Sequence, residues 1–132
     1  MANIAIIDDS GIDRTFARAC LQKEGHEAWH LLPVDLPYVM GELDRIRPDL
    51  VLLDFVIPGC PGATVARTCK AMPSLQSIPI VLLTAHCDPN SRAEYEALGV
   101  DCILLKPFAP GRLASVVHGV LAGRPAAKPR ES

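Results

Sequence analysis

The sequence predicts a doubly wound α/β domain, a five-stranded parallel sheet with helices on both faces. Three observations carry this. Apolar runs at residues 4–7, 50–53, 80–83 and 102–105 are short and unbroken, as in strands buried on both faces. Strands alternate with helical stretches five times, and that alternation builds a parallel sheet through right-handed crossovers. Each run also ends in a charged or hydroxyl group: Asp8-Asp9, Asp54, Thr84 and Lys106. Open α/β sheets place their ligand sites at that carboxyl rim.

In chain order, residues 3–7 are the first strand. Ser10 can cap a helix whose apolar positions Ile12, Phe16 and Cys20 recur every four residues, with Leu21 beside them, and Gly25 stops it. Residues 27–32 form a more polar strand that suits a sheet edge. Asp35 caps a second helix to about Ile46; Pro37 is tolerated in its first turn, while Gly41 weakens its interior. Arg47-Pro48-Asp49 turns the chain into the third strand, 50–53.

The loop 55–61 carries two prolines and Gly59, and Gly62 begins a helix to about Met72. A polar connection, 73–79, leads to the fourth strand. Asp88-Pro89 opens a helix that stops at Leu98-Gly99. The fifth strand is 101–105, and a last helix starts at Pro110 and reaches about Leu121. The domain thus spans 1–122. The Pro-, Ala- and charge-rich segment 123–132 reads as a disordered tail or the start of a linker.

Composition narrows the function. A chain of 132 residues with 49% hydrophobic and 21% charged residues is one ordinary domain with a real core. A net charge of -2 gives no electrostatic footprint for nucleic acid. No apolar run approaches the roughly 20 residues of a membrane helix, and carboxylates follow the first strand where a signal peptide would continue. The cysteines Cys20, Cys60, Cys69, Cys87 and Cys102 form no C-x-x-C pair, so they read as buried thiols in a reducing cytosol.

Asp8, Asp9 and Asp54 would repel one another at a single rim unless a cation sits between them, and oxygen ligands of this kind suit Mg²⁺. Asp8-Asp9-Ser10 could alternatively be a helix cap with a solvated neighbour, and Thr84 a cap of its own. Lys106 follows four apolar residues, so it either snorkels to solvent or pairs with buried acid; a cis Lys106-Pro107 bond would aim it inward.

Together these residues resemble the receiver domain of two-component response regulators over 3–121. The matching features are Asp8-Asp9, the run from Asp54 through Pro58 to Gly62, Thr84-Ala85 and Lys106-Pro107-Phe108. The resemblance implies a flavodoxin-like (β/α)5 fold with strand order 2-1-3-4-5. It implies that Asp54 is the phosphoacceptor, taking the phosphoryl group from a sensor histidine kinase or phosphotransfer protein. Asp9 and Asp54 would bind Mg²⁺ with the Val56 backbone carbonyl, and Asp8 mainly through water. Lys106 would contact the phosphoryl oxygens, and Thr84 would swing inward to bond them. Such a domain is a cytoplasmic signalling module that catalyses only its own phosphorylation and dephosphorylation, and a homodimer is one state it can adopt.

Two features depart from that pattern. Ile103 stands three before Lys106, where receivers usually carry an aromatic that moves with the threonine. Val56 and His86 occupy the positions where families tune phosphate lifetime, and His86 reads most simply as an exposed loop residue. Tyr95 and Leu113 are candidate partner contacts on the face formed by the fourth helix, fifth strand and last helix, although Tyr95 also fits core packing. A phosphohydrolase would need D-x-D after the first strand, and a flavin carrier a hydroxyl- and glycine-rich loop there; Asp8-Asp9-Ser10 is neither. A degenerate receiver that binds partners without phosphorylation remains the alternative, kept open by Ile103 and opposed by the intact acids, Thr84 and Lys106.

Overall fold

The computed structural model describes residues 2–86, 88–123 and 130–131. Strands and helices alternate as β1 (Asn3–Ile7), α1 (Gly11–Lys23), β2 (Glu27–Leu31), α2 (Leu36–Ile46), β3 (Leu50–Asp54), α3 (Gly62–Ala71), β4 (Ile80–Thr84), α4 (Pro89–Ala97), β5 (Cys102–Leu105) and α5 (Pro110–Ala122). The sheet is parallel, in the order β2-β1-β3-β4-β5. The polar β2 lies at the edge, as its composition predicts.

A two-residue strand, β6 (Arg130–Glu131), pairs in parallel with Cys102 and Ile103 at the other edge. The sequence reading contains no sixth strand, because two residues in a Pro- and charge-rich stretch have no apolar run to mark them. The sequence reads residues 123–132 as a disordered tail or the start of a linker; of these, 124–129 and 132 lie outside the described residues.

The caps fall where the sequence places them. Ser10, Asp35 and Asp88 each accept a hydrogen bond from the backbone N–H three residues on, satisfying a donor that the first helical turn leaves unpaired. Arg47 closes α2 in the left-handed region at φ 48°, its N–H donating to the Leu43 carbonyl. The Lys106–Pro107 peptide bond is cis.

The sheet separates two apolar layers. Ala17, Cys20 and Leu21 of α1 and Leu113, Val116, Val117 and Val120 of α5 cover one face, packed on Ile4, Ile6, Leu50, Leu52, Val81, Leu83, Cys102 and Leu104. Residues of α2, α3 and α4 cover the other, packed on Ala5, Ile7, Val51, Leu53, Ile80, Leu82 and Ile103. Burial of each such Leu or Ile contributes about 1.5–3 kcal/mol, and truncating one to Ala costs about 2–5 kcal/mol.

The buried stripe of α1 differs from the one predicted. It runs through Ala17, Cys20 and Leu21, whereas Ile12 is 83% exposed and Phe16 38%. The two stripes share Cys20 and Leu21 and differ by a small rotation about the helix axis, which turns the N-terminal apolar pair toward the rim. Among the described residues no helix is long and apolar enough to cross a membrane.

Candidate functional site

Successive side chains of a strand point to opposite faces, so the layer a strand's last residues enter decides which rim groups meet. In β1, Ile4 and Ile6 face α1 and α5, so Asp8 continues that face. Leu50 and Leu52 do the same for Asp54, and Cys102 and Leu104 for Lys106. Register sets their heights: Asp54 pairs with Leu83, Leu83 pairs with Leu104, and Lys106 lies two residues further along, reaching back to the acids. Thr84 falls on the opposite alternation, following Ile80 and Leu82 into the α4 layer.

Distances bear this out. The Lys106 Nζ lies 2.9 Å from Asp8 Oδ2, 2.9 Å from Asp13 Oδ2 and 3.5 Å from Asp54 Oδ1. Asp8 is buried and uses both oxygens, Oδ1 accepting from the Ser10 N–H at 3.0 Å. Arg14 Nη1 donates to the Asp8 carbonyl oxygen at 2.6 Å, tying α1 to the end of β1. Thr84 is buried, and its hydroxyl shares a hydrogen bond of 2.9 Å with the Tyr95 hydroxyl while accepting the His86 N–H at 3.2 Å.

The electrostatics follow from burial and like charge. Burial, reinforced by the neighbouring Asp8, pushes the Asp54 carboxyl up to about 6 against the pull of Lys106. Burial works against the Lys106 charge, but its hydrogen bonds to Asp13 and Asp8 and the charge of Asp54 outweigh that, and its pKa is raised.

Ligand oxygens of Asp8, Asp9 and Asp54 all lie within 4.8 Å of one another. Three acidic oxygen donors at this spacing, with Asp9 exposed and two partners buried, fit a hard divalent cation. The repulsion from Asp8 that adds to the effect of burial on Asp54 is what such an ion would relieve.

Asp8, Asp54 and Lys106 therefore converge, Asp9 joins them at the solvent side, and Thr84 stands at the same rim with its hydroxyl turned toward α4. Val56 and His86 are exposed. Tyr95 at 1% exposure and Leu113 at 0% are core residues, so neither offers a partner the surface expected of it; both sit on the inward stripe of their helices. Sequence reasoning missed Asp13, because an acid in a helix's first turn is accounted for by the helix dipole alone.

Ile12, Phe16, Ala85, Pro107 and Phe108 line an apolar groove beside Lys106, with the Phe16 and Phe108 rings 5.8 Å apart. Ile12 and Phe16 are the two apolar side chains that α1 leaves exposed.

A family model described as the response regulator receiver domain matches residues 4–118. The phosphate regulon transcriptional regulatory protein PhoB of Rhizobium meliloti is 30% identical over 92% of this chain and 52% of its own length. The sensory transduction protein RegX3 of Mycobacterium tuberculosis is 31% identical over 92% of this chain and 51% of its own. The chain thus spans about half the length of the curated relatives it matches. The signal receiver domain of a histidine kinase from Syntrophus aciditrophicus superposes with a TM-score of 0.84 at 29% identity, covering 95% of this chain and 93% of that one. The chemotaxis protein CheY4 of Vibrio cholerae gives 0.83 at 26% identity, over 91% and 98%.

Proposed function

The chain belongs to the response regulator receiver family, and from that premise we propose that Asp54 is its phosphoacceptor, loaded by a sensor histidine kinase or phosphotransfer protein. The observation that carries this reading is the Lys106 ammonium 3.5 Å from Asp54 Oδ1, at a rim that also holds Asp8 and Asp9. An Asp54 carboxylate oxygen forms a bond to phosphorus as the bond from phosphorus to the donor imidazole nitrogen breaks, and that nitrogen keeps the electron pair.

Asp9, Asp54 and the Val56 backbone carbonyl, with Asp8 mainly through water, would hold Mg²⁺, which would supply charge neutralisation at the transferring oxygens. Lys106 keeps its proton throughout and donates to the same oxygens. It is pre-positioned by Asp8 and Asp13, so little reorganisation accompanies the step. Thr84 then turns its hydroxyl toward the phosphoryl group, which brings acceptor oxygens absent from the free carboxylate. The domain is a switch whose chemistry is confined to its own phosphorylation and dephosphorylation.

The exposed groove of Ile12, Phe16 and Phe108 beside Lys106 supports docking of the donor there, within reach of Asp54. The buried thiols Cys20, Cys60 and Cys69, free of disulfides, support a cytoplasmic setting. A net charge of -2 argues against nucleic-acid binding by this domain itself.

The test is intact-mass measurement after incubation with a small acyl phosphate. One phosphoryl group per chain is expected with Mg²⁺ and none with a chelator. Asp9→Ala should need more Mg²⁺ for the same extent of labelling. Labelling indifferent to the metal would refute the assignment.

A further inference from the structure

Thr84 and Tyr95 form a buried pair at the rim that holds Asp54. Tyr95 is 1% exposed, and its hydroxyl lies 2.9 Å from the Thr84 hydroxyl. Its ring meets Phe55 edge-on at 4.8 Å, and Phe55 directly follows Asp54. Ile103, on β5, packs in the same apolar layer and carries no polar atom that could replace either hydroxyl.

Alternation puts the Thr84 side chain in the layer of α4, while Asp54 faces α1 and α5. In the unphosphorylated domain the hydroxyl is engaged by Tyr95. Turning to a phosphoryl oxygen on Asp54 takes it out of the α4 layer and away from Tyr95. The phenol is then left buried without that partner, a state that costs more than an average hydrogen bond contributes.

We propose that Tyr95 is the positioning residue through which the state of Asp54 reaches α4: its hydroxyl holds Thr84 back in the unphosphorylated domain, and its loss of that partner loosens α4 when Thr84 turns. The inference rests on the phosphoacceptor reading of Asp54. It makes α4, rather than β5, the source of the hydroxyl that answers Thr84, and the Phe55 ring a second contact between Tyr95 and the loop after Asp54.

The experiment uses beryllium trifluoride with Mg²⁺, a stable mimic of an aspartyl phosphate, on the full chain. Tyr95→Phe keeps the ring and its contact with Phe55 but removes the hydroxyl. It is expected to bind the mimic roughly two- to tenfold more tightly than the wild type, since one restraining hydrogen bond no longer has to break. In a Thr84→Val background the same Tyr95→Phe change is expected to alter the affinity by less than about twofold, because the pair is already gone.

Hydrogen exchange supplies the readout that a purely structural role would not move. The mimic should speed exchange of α4 amides in the wild type and leave them unchanged in Tyr95→Phe. Equal affinities for wild type and Tyr95→Phe, or the same α4 response in both, would overturn the role of Tyr95 while leaving Asp54 as phosphoacceptor. Failure of the wild type to bind the mimic at all would overturn the phosphoacceptor reading and this inference with it.

Discussion

Gly62→Ala is expected to damage both fold and site, for a reason visible in the backbone. A Cβ at Gly62 would stand 2.8 Å from Phe55 Cα and 3.0 Å from Phe55 O, with the Asp54 carbonyl oxygen nearer still. All three are backbone atoms, and the Gly62 N–H already donates to Phe55 O at 3.0 Å, so no side-chain rotation can relieve the overlap. Overpacking of this kind costs about 1–3 kcal/mol, and a backbone obstacle places it at the upper end. The gain in helix propensity from Gly to Ala returns at most about 1 kcal/mol, less at a first helical residue. A net loss of about 2 kcal/mol lowers the urea midpoint by roughly 1 M at the slopes usual for small domains.

Gly41→Ala, in the interior of α2, is the control. A Cβ there meets nothing within 4 Å, so the substitution should stabilise by about 0.5–1 kcal/mol. Because the strain falls on the carbonyl of Asp54 itself, Gly62→Ala should also slow labelling by an acyl phosphate, with displacements near 1 Å costing up to about a hundredfold. The reasoning fails if Gly62→Ala unfolds at the same urea concentration as Gly41→Ala and is labelled at the wild-type rate.

In the metal-free protein, Asp54 binds its proton more tightly folded than unfolded, so its stabilising contribution is present at low pH and is lost as pH rises through about 6. Between pH 5 and 7.5 that loss amounts to about 1 kcal/mol. His26 and His30, whose pKa values burial lowers, give the opposite slope, so the comparison with Asp54→Asn isolates the carboxylate. Relative to wild type, the Asn variant should gain about 1 kcal/mol in chelator over this range; a difference that stays constant with pH contradicts the burial argument. Lys106→Ala leaves Asp8 and Asp54 without their ammonium and should cost about 3 kcal/mol in chelator, with Mg²⁺ restoring more stability than it gives wild type. Equal denaturation curves for the two proteins would show that the ion pairs carry no stability.

Much of the site is legible in the chain because an apolar run that stops abruptly at a charge marks both a strand and its carboxyl rim. Asp54, Lys106 and Thr84 are found this way. Which layer each enters is not, since a strand buried on both faces shows no polar alternation to set its phase. That phase separates Thr84 from Asp54 and hands its hydroxyl to Tyr95, a contact between a strand and the helix that follows it. Ile12 and Phe16 mislead for a related reason: four-residue spacing reports a helical stripe, and only packing decides whether the stripe meets the core or a groove. Asp13 is hidden by an ordinary local role at a helix start, and β6 by its brevity.

The most direct measurement locates the phosphoryl group itself. The chain is loaded from an acyl phosphate with Mg²⁺, the acyl phosphate is reduced with borohydride, and the reduced residue is found by peptide mass spectrometry. Reduction at Asp54 alone, abolished by chelator, is the expected result. Reduction at Asp8, Asp9 or Asp13, or none anywhere, would contradict the assignment of Asp54 as phosphoacceptor.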